Sequence, residues 1–283
     1  MKPVAFDYTR PRTLDAALDL LASQDNAKIL AGGQTLGPML NLRLVQPAVL
    51  IDVTRIPDLV EVRDDGDALS IGACVTHAAI EDARVTDPVN GYLRRVAAGI
   101  AYRAVRTRGT IGGSLAHADP AADWLSALLA ARAELEIAGG ERRRRVALKD
   151  FVRGAMETAL DPEELIARIV VPRAGKSSRQ GYYKICRKTG EFAEAIGAVA
   201  FDEGGSDFIM VAAGGSEVPV RLDDAAKLFK GGDPADPQGF DMDMAMDALR
   251  DAGMGEDEYD LRLRAVAMDR AHRNLGDLTA GIV

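Results

Sequence analysis

Two glycine turns constrain this chain more than any other feature of its sequence: Ala31-Gly32-Gly33-Gln34-Thr35-Leu36-Gly37-Pro38 and Thr110-Ile111-Gly112-Gly113-Ser114. Each follows apolar sequence and leads toward another element. A glycine pair lets the backbone turn sharply with φ > 0, and it removes the side chains that would keep a ligand away from the main-chain amides. Consecutive exposed N–H groups form an anion-binding concavity suited to phosphate. Gln34, Thr35, Thr110 and Ser114 add side-chain donors without fixed charge. Two such turns can hold a pyrophosphate from both sides, or each can simply mark a tight turn; the turns alone leave both readings open. Neither matches the G-x-G-x-x-G dinucleotide fingerprint. Gly175-Lys176-Ser177 fails as a Walker sequence, because Val170 stands where that motif needs a glycine.

The elements around these turns point to an α+β fold. Thr13 caps a helix with apolar face Leu14, Ala17, Leu18 and Leu21, and Asp15 suits its first turn. Ala27 to Leu30 reads as a strand running into the first glycines, a compact turn or helix follows through Met39 and Leu42, and Val49 to Ile51 is a second strand. Leu59 to Arg63 and Ala68 to Ile71 flank Asp64-Asp65-Gly66-Asp67 as a hairpin. Helices are expected near Thr76 to Asp82 and Gly91 to Ala98, then strands at Glu134 to Ala138, Arg145 to Leu148 and Ile166 to Val171. This order lacks the regular alternation of a doubly wound parallel fold. The small, polar and basic stretch Arg173 to Gln180 is the best linker. Strands at Gly181 to Ile185, Ala195 to Phe201 and Phe208 to Ala213 follow it. Helical signals near Asp223 to Phe229 and between Met242 and Leu275 then predict helices on one face of an antiparallel sheet.

The bulk numbers narrow the function. At 283 residues, 47% hydrophobic and 28% charged, the chain has the composition of an ordinary soluble globular protein with room for two domains. A net charge of −8 argues against nucleic acid, and the one dense basic run, Arg142 to Arg145, reads as a solvated strand start in a hairpin. Cys74 and Cys186 stand far apart, which excludes a disulfide framework and a Cys-ligated iron–sulfur cluster within this chain. No apolar run approaches the roughly 20 residues that span a bilayer. Met1 to Arg10 has no signal-peptide core, so a cytoplasmic location is expected.

Two further stretches carry chemistry. In His117-Ala118-Asp119-Pro120-Ala121-Ala122-Asp123, three side chains are candidate metal ligands. The stronger reading gives Asp123 to a polyol hydroxyl and Asp119-Pro120 to a turn. His77 and His272 are isolated and read as surface or packing residues. In Tyr182-Tyr183-Lys184-Ile185-Cys186-Arg187-Lys188-Thr189-Gly190-Glu191-Phe192-Ala193, Lys184 is a cation able to stabilise a reduced flavin, and the aromatics are able to cover a ring face. An exposed strand and turn of mixed charge is the plainer alternative.

Taken together, in this order and spacing, these motifs resemble the medium FAD subunit of the xanthine dehydrogenase family, and most of all its bacterial three-subunit members such as carbon monoxide dehydrogenase. Ala31 to Thr35 through Leu42-Arg43-Leu44 resembles the first phosphate loop. Arg106 to Ser114 with His117 to Asp123 resembles the second, and Lys184 to Ala193 the segment beside the isoalloxazine. The similarity covers essentially the whole chain. It implies a two-subdomain FAD-binding fold of the vanillyl-alcohol-oxidase (PCMH) type over 1–175, with subdomains of about 1–57 and 58–175. A small α+β C-terminal domain like that of carbon monoxide dehydrogenase flavoproteins would occupy 176–283.

The resemblance also implies roles. Leu30, Ala31, Gly32, Gly33, Gln34, Thr35, Leu36 and Gly37 would wrap the FAD pyrophosphate, with Thr110, Ile111, Gly112, Gly113 and Ser114 on its other side. Asp123 would bind sugar or ribityl hydroxyls, and Ile100, Ile169 and Lys184 would line the flavin or adenine. Glu191 departs from the family, standing where many relatives have aspartate. The chain would hold no metal and no catalytic acid, base or nucleophile. It would serve as the electron-transfer subunit of a cytoplasmic molybdenum hydroxylase, in a dimer of heterotrimers. A large molybdopterin subunit would oxidise substrate, a small subunit would relay electrons through two [2Fe–2S] clusters, and FAD here would pass them to NAD⁺, a quinone or oxygen. The rival expectations are a self-contained flavoprotein oxidoreductase of the same fold, and a scaffold that kept the fold and lost FAD.

Overall fold

The computed structural model describes residues 1–202, 208–236 and 238–276. Its first layer is a parallel three-stranded sheet in the order β1 (Asp7–Thr9), β3 (Val49–Asp52), β2 (Ala27–Leu30). Helix α1 (Leu14–Ser23) connects β1 to β2, and α2 (Leu36–Asn41) leads from β2 toward β3. The Thr13 hydroxyl accepts from the Ala16 amide at 3.2 Å, and Leu14, Ala17 and Leu18 turn inward, as the cap and the apolar spacing dictate.

The second layer is an antiparallel five-stranded sheet in the order β4 (Val62–Asp64), β5 (Ala68–Gly72), β10 (Leu165–Pro172), β6 (Glu134–Gly139), β7 (Arg142–Ala147). Between β5 and β6 the chain forms five helices: α4 (His77–Glu81), α5 (Tyr92–Ala98), α6 (Arg103–Arg106), α7 (Ile111–His117) and α8 (Asp123–Ala130). The expected hairpin begins later than the sequence suggests. Pro57 occupies the first turn of a short helix α3 (Pro57–Val60), where its fixed φ and missing N–H are at home, and this takes Leu59 and Val60 out of the strand. Leu148 likewise opens the short helix α9 (Leu148–Phe151) rather than ending β7, and a small ribbon β8 (Val152–Gly154) and β9 (Glu157–Thr158) follows.

A third sheet is antiparallel in the order β11 (Ser178–Ile185), β12 (Ala195–Asp202), β13 (Phe208–Ala213), β14 (Val220–Leu222). The linker is therefore shorter than expected, since Ser178 already pairs with Asp202. The helical signal at 223–229 becomes one 3₁₀ turn, Ala225–Leu228, and the chain then forms α10 (Met242–Asp251) and α11 (Glu258–Arg273). Asp257 caps α11, Glu258 and Asp260 open it, and Arg270, His272 and Arg273 close it, which matches the helix dipole at both ends.

Glycines let α11 lie directly on the strands: a Cβ at Gly197 would stand 2.2 Å from the Ala267 carbonyl oxygen. The other face of this third sheet faces α8, so Ile196, Ala198, Ile209 and Val211 join Trp124, Leu128, Leu135 and Ile169 in one continuous core. A second core lies between the sheet and α10–α11, and a third between the parallel sheet and the outer face of the five-stranded one.

Candidate cofactor site

The two glycine turns meet. At the end of β2, Gly33 adopts φ +71°, a conformation costly for residues with a Cβ, and its carbonyl accepts from Gly37 at 2.9 Å to start α2. Among the described residues, the amides of Gly32, Gly33, Gln34 and Thr35 donate to no other protein group. Gln34 and Thr35 are exposed. This turn is thus a run of main-chain donors without a protein partner that opens to the surface at Gln34 and Thr35.

The second turn is built differently. Ile111 and Gly112 donate to the carbonyls of Val75 and Ala73 at 3.0 and 2.9 Å, Gly113 donates to the buried Thr110 hydroxyl at 3.1 Å, and Ser114 donates to the Thr110 carbonyl. Its amides are committed, and its contribution is close approach. A Cβ at Gly32 would stand 2.3 Å from the Arg108 carbonyl oxygen, and one at Gly113 would meet Thr110 Oγ1 at 2.7 Å and Ala31 Cβ at 3.5 Å. The donor turn therefore rests against the second turn: a side chain at Gly32 would push the two apart, and one at Gly113 would clash with the Thr110 hydroxyl that caps α7. Beneath them His77 lies buried. Its Nδ1 accepts from Trp124 Nε1 at 3.0 Å, and burial, with Arg106 nearby, lowers its pKa to about 4, so the ring is neutral. His77 is a packing residue, as expected.

Asp123 is the first residue of α8, buried, where the helix dipole favours a carboxylate. Its Oδ1 accepts from the Tyr182 hydroxyl at 2.7 Å and from Lys184 Nζ at 2.8 Å, and Lys184 also donates to the Gly99 carbonyl at 2.7 Å. Burial, then the charge of Asp123, holds the Tyr182 phenol well above its ordinary pKa, so it remains a donor. Tyr182 thus anchors an acid rather than covering a ring face. Tyr182 and Lys184 share one face of β11 because they are two residues apart.

Two loops flank this cluster. Arg106 grips Glu81 with two bonds of 2.8 Å and caps the carbonyls of Ile100 and Ala101, fixing a loop in which Ala101 adopts φ +41°. The Tyr102 ring lies against Gly190, whose φ of +92° and missing side chain permit that contact, so this loop touches the Lys188–Glu191 turn. Glu191 pairs with Lys188 at 3.3 Å, and Phe192 is 69% exposed. Ile100 is half-buried at the loop, whereas Ile169 is fully buried between Ile71 and Leu135 in the main core and reaches no open surface with the others. Asp119 closes its turn by accepting from Ala121 at 2.9 Å. Among the described residues no three acidic, histidine or cysteine side chains gather as a metal set.

An α+β chain with a surface turn of free amides, a glycine wall behind it and a buried Asp–Lys–Tyr cluster has the parts of a dinucleotide-cofactor protein that is not of the Rossmann type. Residues 4–174 match the family described as the FAD binding domain in molybdopterin dehydrogenase, and the chain belongs to that family. It is 36% identical over 234 residues to the 6-hydroxypseudooxynicotine dehydrogenase complex subunit alpha of Paenarthrobacter nicotinovorans, covering 81% of this chain and 79% of that one. The carbon monoxide dehydrogenase medium chain of Afipia carboxidovorans is 32% identical over 278 residues, 96% of each. Among solved structures, carbon monoxide dehydrogenase from Hydrogenophaga pseudoflava superposes with a TM-score of 0.85 at 30% identity, over 96% of this chain and 98% of that one. Quinoline 2-oxidoreductase from Pseudomonas putida 86 superposes with a TM-score of 0.82 at 28% identity over the full length of both. The expected α+β flavoprotein fold is therefore the observed one.

Proposed function

We propose that this chain is the FAD-carrying electron-transfer subunit of a molybdenum hydroxylase. It would work in the cytoplasm with a large molybdopterin chain and a small [2Fe–2S] chain, assembled as a dimer of heterotrimers. The observation that carries this reading is the meeting of the two glycine turns, where the amides of Gly32 to Thr35 are free and a Cβ would fill the approach. When bound, FAD would supply the redox chemistry that links one-electron iron–sulfur donors to an acceptor such as NAD⁺, a quinone or oxygen.

The protein's part is binding and electrostatics. Leu30 to Gly37 wrap the pyrophosphate, and Thr110 to Ser114 hold that turn in place. Asp123 has given Oδ1 to Tyr182 and Lys184, which leaves Oδ2 for a ribityl or sugar hydroxyl. Lys184, fixed by Asp123 and the Gly99 carbonyl, places a positive charge beside the flavin edge that gains negative charge on reduction. Ile100 supplies apolar lining, whereas Ile169 is buried in the core behind the site and takes no part in it. No residue of the chain moves a substrate proton, because substrate oxidation belongs to the molybdenum chain. No helix among the described residues is long and apolar enough to cross a membrane. An absorption spectrum of the purified chain, with release of its chromophore, tests the reading. Flavin bands with FAD released support it; a featureless spectrum unchanged by added FAD refutes it.

A further inference from the structure

A cavity of about 500 Å³ lies away from the glycine turns, between α1, α3 and the outer face of the five-stranded sheet. The sheet register explains its chemistry. Arg63 opposes Ser70, Arg168 opposes Gly72 and Glu136, and Arg145 opposes Glu136, so all of these side chains share one face; Arg143, two residues from Arg145, joins them. Ile169 and Leu135 point to the opposite face, into the core. The cavity is lined by five arginines against Asp58 and Glu136, in a chain whose net charge is −8.

The arginines differ in how firmly they are held. Arg168 is a fixed buried floor, its side chain 5% exposed, bonded to the Ser70 hydroxyl and to the carbonyls of Asp58, Glu61 and Ser70. Arg144 is also fixed, by two bonds to Glu164. Arg63, Arg143 and Arg145 are 46 to 54% exposed. Their partners Glu61, Asp15, Glu134 and Glu136 are 32 to 83% exposed. Such half-exposed pairs hold weakly and exchange partners readily. Arg143 and Arg145 lie on β7, one edge strand of the sheet, and Arg63 lies on β4, the other.

We propose that this arginine cleft is a docking site for an acidic surface segment of a partner chain, an inference that rests on the multi-chain reading given above. Charge complementarity selects that occupant. The cavity lining carries five arginines against two carboxylates, and three of those arginines are held only by half-exposed partners that a carboxylate-rich segment can displace on this concave face, which fixes the place of docking. The plainer role of charges on an edge strand is to block strand-to-strand aggregation, and the test separates the two.

The chain is co-expressed with its molybdenum and iron–sulfur chains, as wild type, as Arg143→Glu/Arg145→Glu, and as the charge-matched control Arg84→Glu/Arg262→Glu at two exposed arginines outside the cavity lining. Complex formation is followed by mass photometry at several salt concentrations. The cleft variant is expected to assemble roughly tenfold more weakly, with a flatter salt dependence, while the control matches wild type. Assembly equal to wild type overturns the docking site, whether or not the variant self-associates, as does equal weakening in the control. A small-anion site is the reading instead if inorganic pyrophosphate stabilises the isolated wild type against heat, not the cleft variant, and assembly is unchanged. If the wild-type chain itself fails to assemble, the multi-chain reading falls and the docking site falls with it.

Discussion

Lys184 bonds at once to a charge and to a neutral carbonyl, and both contacts decide what its loss would do. With Lys184 and Asp123 side chains each 10% exposed, this is a buried pair. Removing one partner of such a pair leaves an uncompensated charge and costs about 3–5 kcal/mol. Lys184→Met is therefore expected to lower stability in urea by that order and, with FAD bound, to lower the flavin midpoint potential; Lys184→Arg should restore part of both. An unchanged potential would remove Lys184 from the flavin edge.

A second residue, His77, links stability to pH. Its folded pKa of about 4 lies below the ordinary value of 6.5, so the unfolded chain binds the proton first. The stability it contributes is complete above about pH 6.5 and is lost progressively as pH falls toward 4, by at most about 3 kcal/mol. His272, also held below its ordinary value by burial, acts in the same direction. Urea midpoints between pH 7 and 4.5 should fall for wild type and fall less for His77→Gln; parallel curves would show that His77 is not the group. At this scale the sequence reveals residue types more readily than partners. Asp123 and Lys184 stand out through their motifs, but their bond joins residues 61 apart and depends on the first residue of α8 meeting β11. Tyr182 could have been placed with Lys184 by strand alternation alone. The Tyr102–Gly190 contact has no signal beyond the glycine.

Elements were legible where local chemistry agreed with tertiary context. Thr13 caps its helix with the side-chain bond its sequence implies, and Thr76 caps the helix expected near it, whereas the helix that Thr110 caps is hidden in the sequence by glycines that read as a turn. Leu59 and Val60 were misleading because an apolar pair leading into the hairpin reads as strand, although the preceding proline opens a short helix. The glycines at 181 and 197 gave no sequence signal of their role, which is to admit a helix. A Cβ at Gly181 would stand 1.9 Å from the Ala271 carbonyl oxygen and one at Gly197 2.2 Å from that of Ala267, one helical turn apart on α11. Gly197→Val must lift α11 from the sheet, an overpacking that costs about 1–3 kcal/mol or more. The expected result is a lower melting temperature and weaker FAD retention, since β12 pairs with the strand that carries Lys184. A variant that melts and binds as wild type would mean that α11 does not sit this close in solution.

At the scale of the whole molecule, the linker at 173–180 suggests a division that the packing does not respect. The linker itself is tied down: Ala174 donates to the Pro88 carbonyl at 2.9 Å, and Asn90 donates to the carbonyls of Gly175 and Ser178 at 3.3 and 3.0 Å. More important, Tyr182, Ile196, Ala198, Ile209, Val211 and Ala213 belong to the same core as Trp124 and Leu128. The sequence predicts helices on one face of this sheet but does not say what covers the other. One face is covered by α11 and the other by α8. A fragment ending at residue 175 would keep both glycine turns and Asp123 while exposing the apolar face of α8 to water, at about 25 cal/mol for each Å² uncovered. It would also lose Lys184 and Tyr182, leaving Asp123 without its two donors. The fragment is therefore expected to be insoluble, or to bind ANS with little near-UV circular dichroism, and to retain no FAD. A soluble fragment that unfolds cooperatively and holds stoichiometric FAD would show that the first 175 residues complete their own core, and that the third sheet is an attachment rather than the other half of the cofactor's housing.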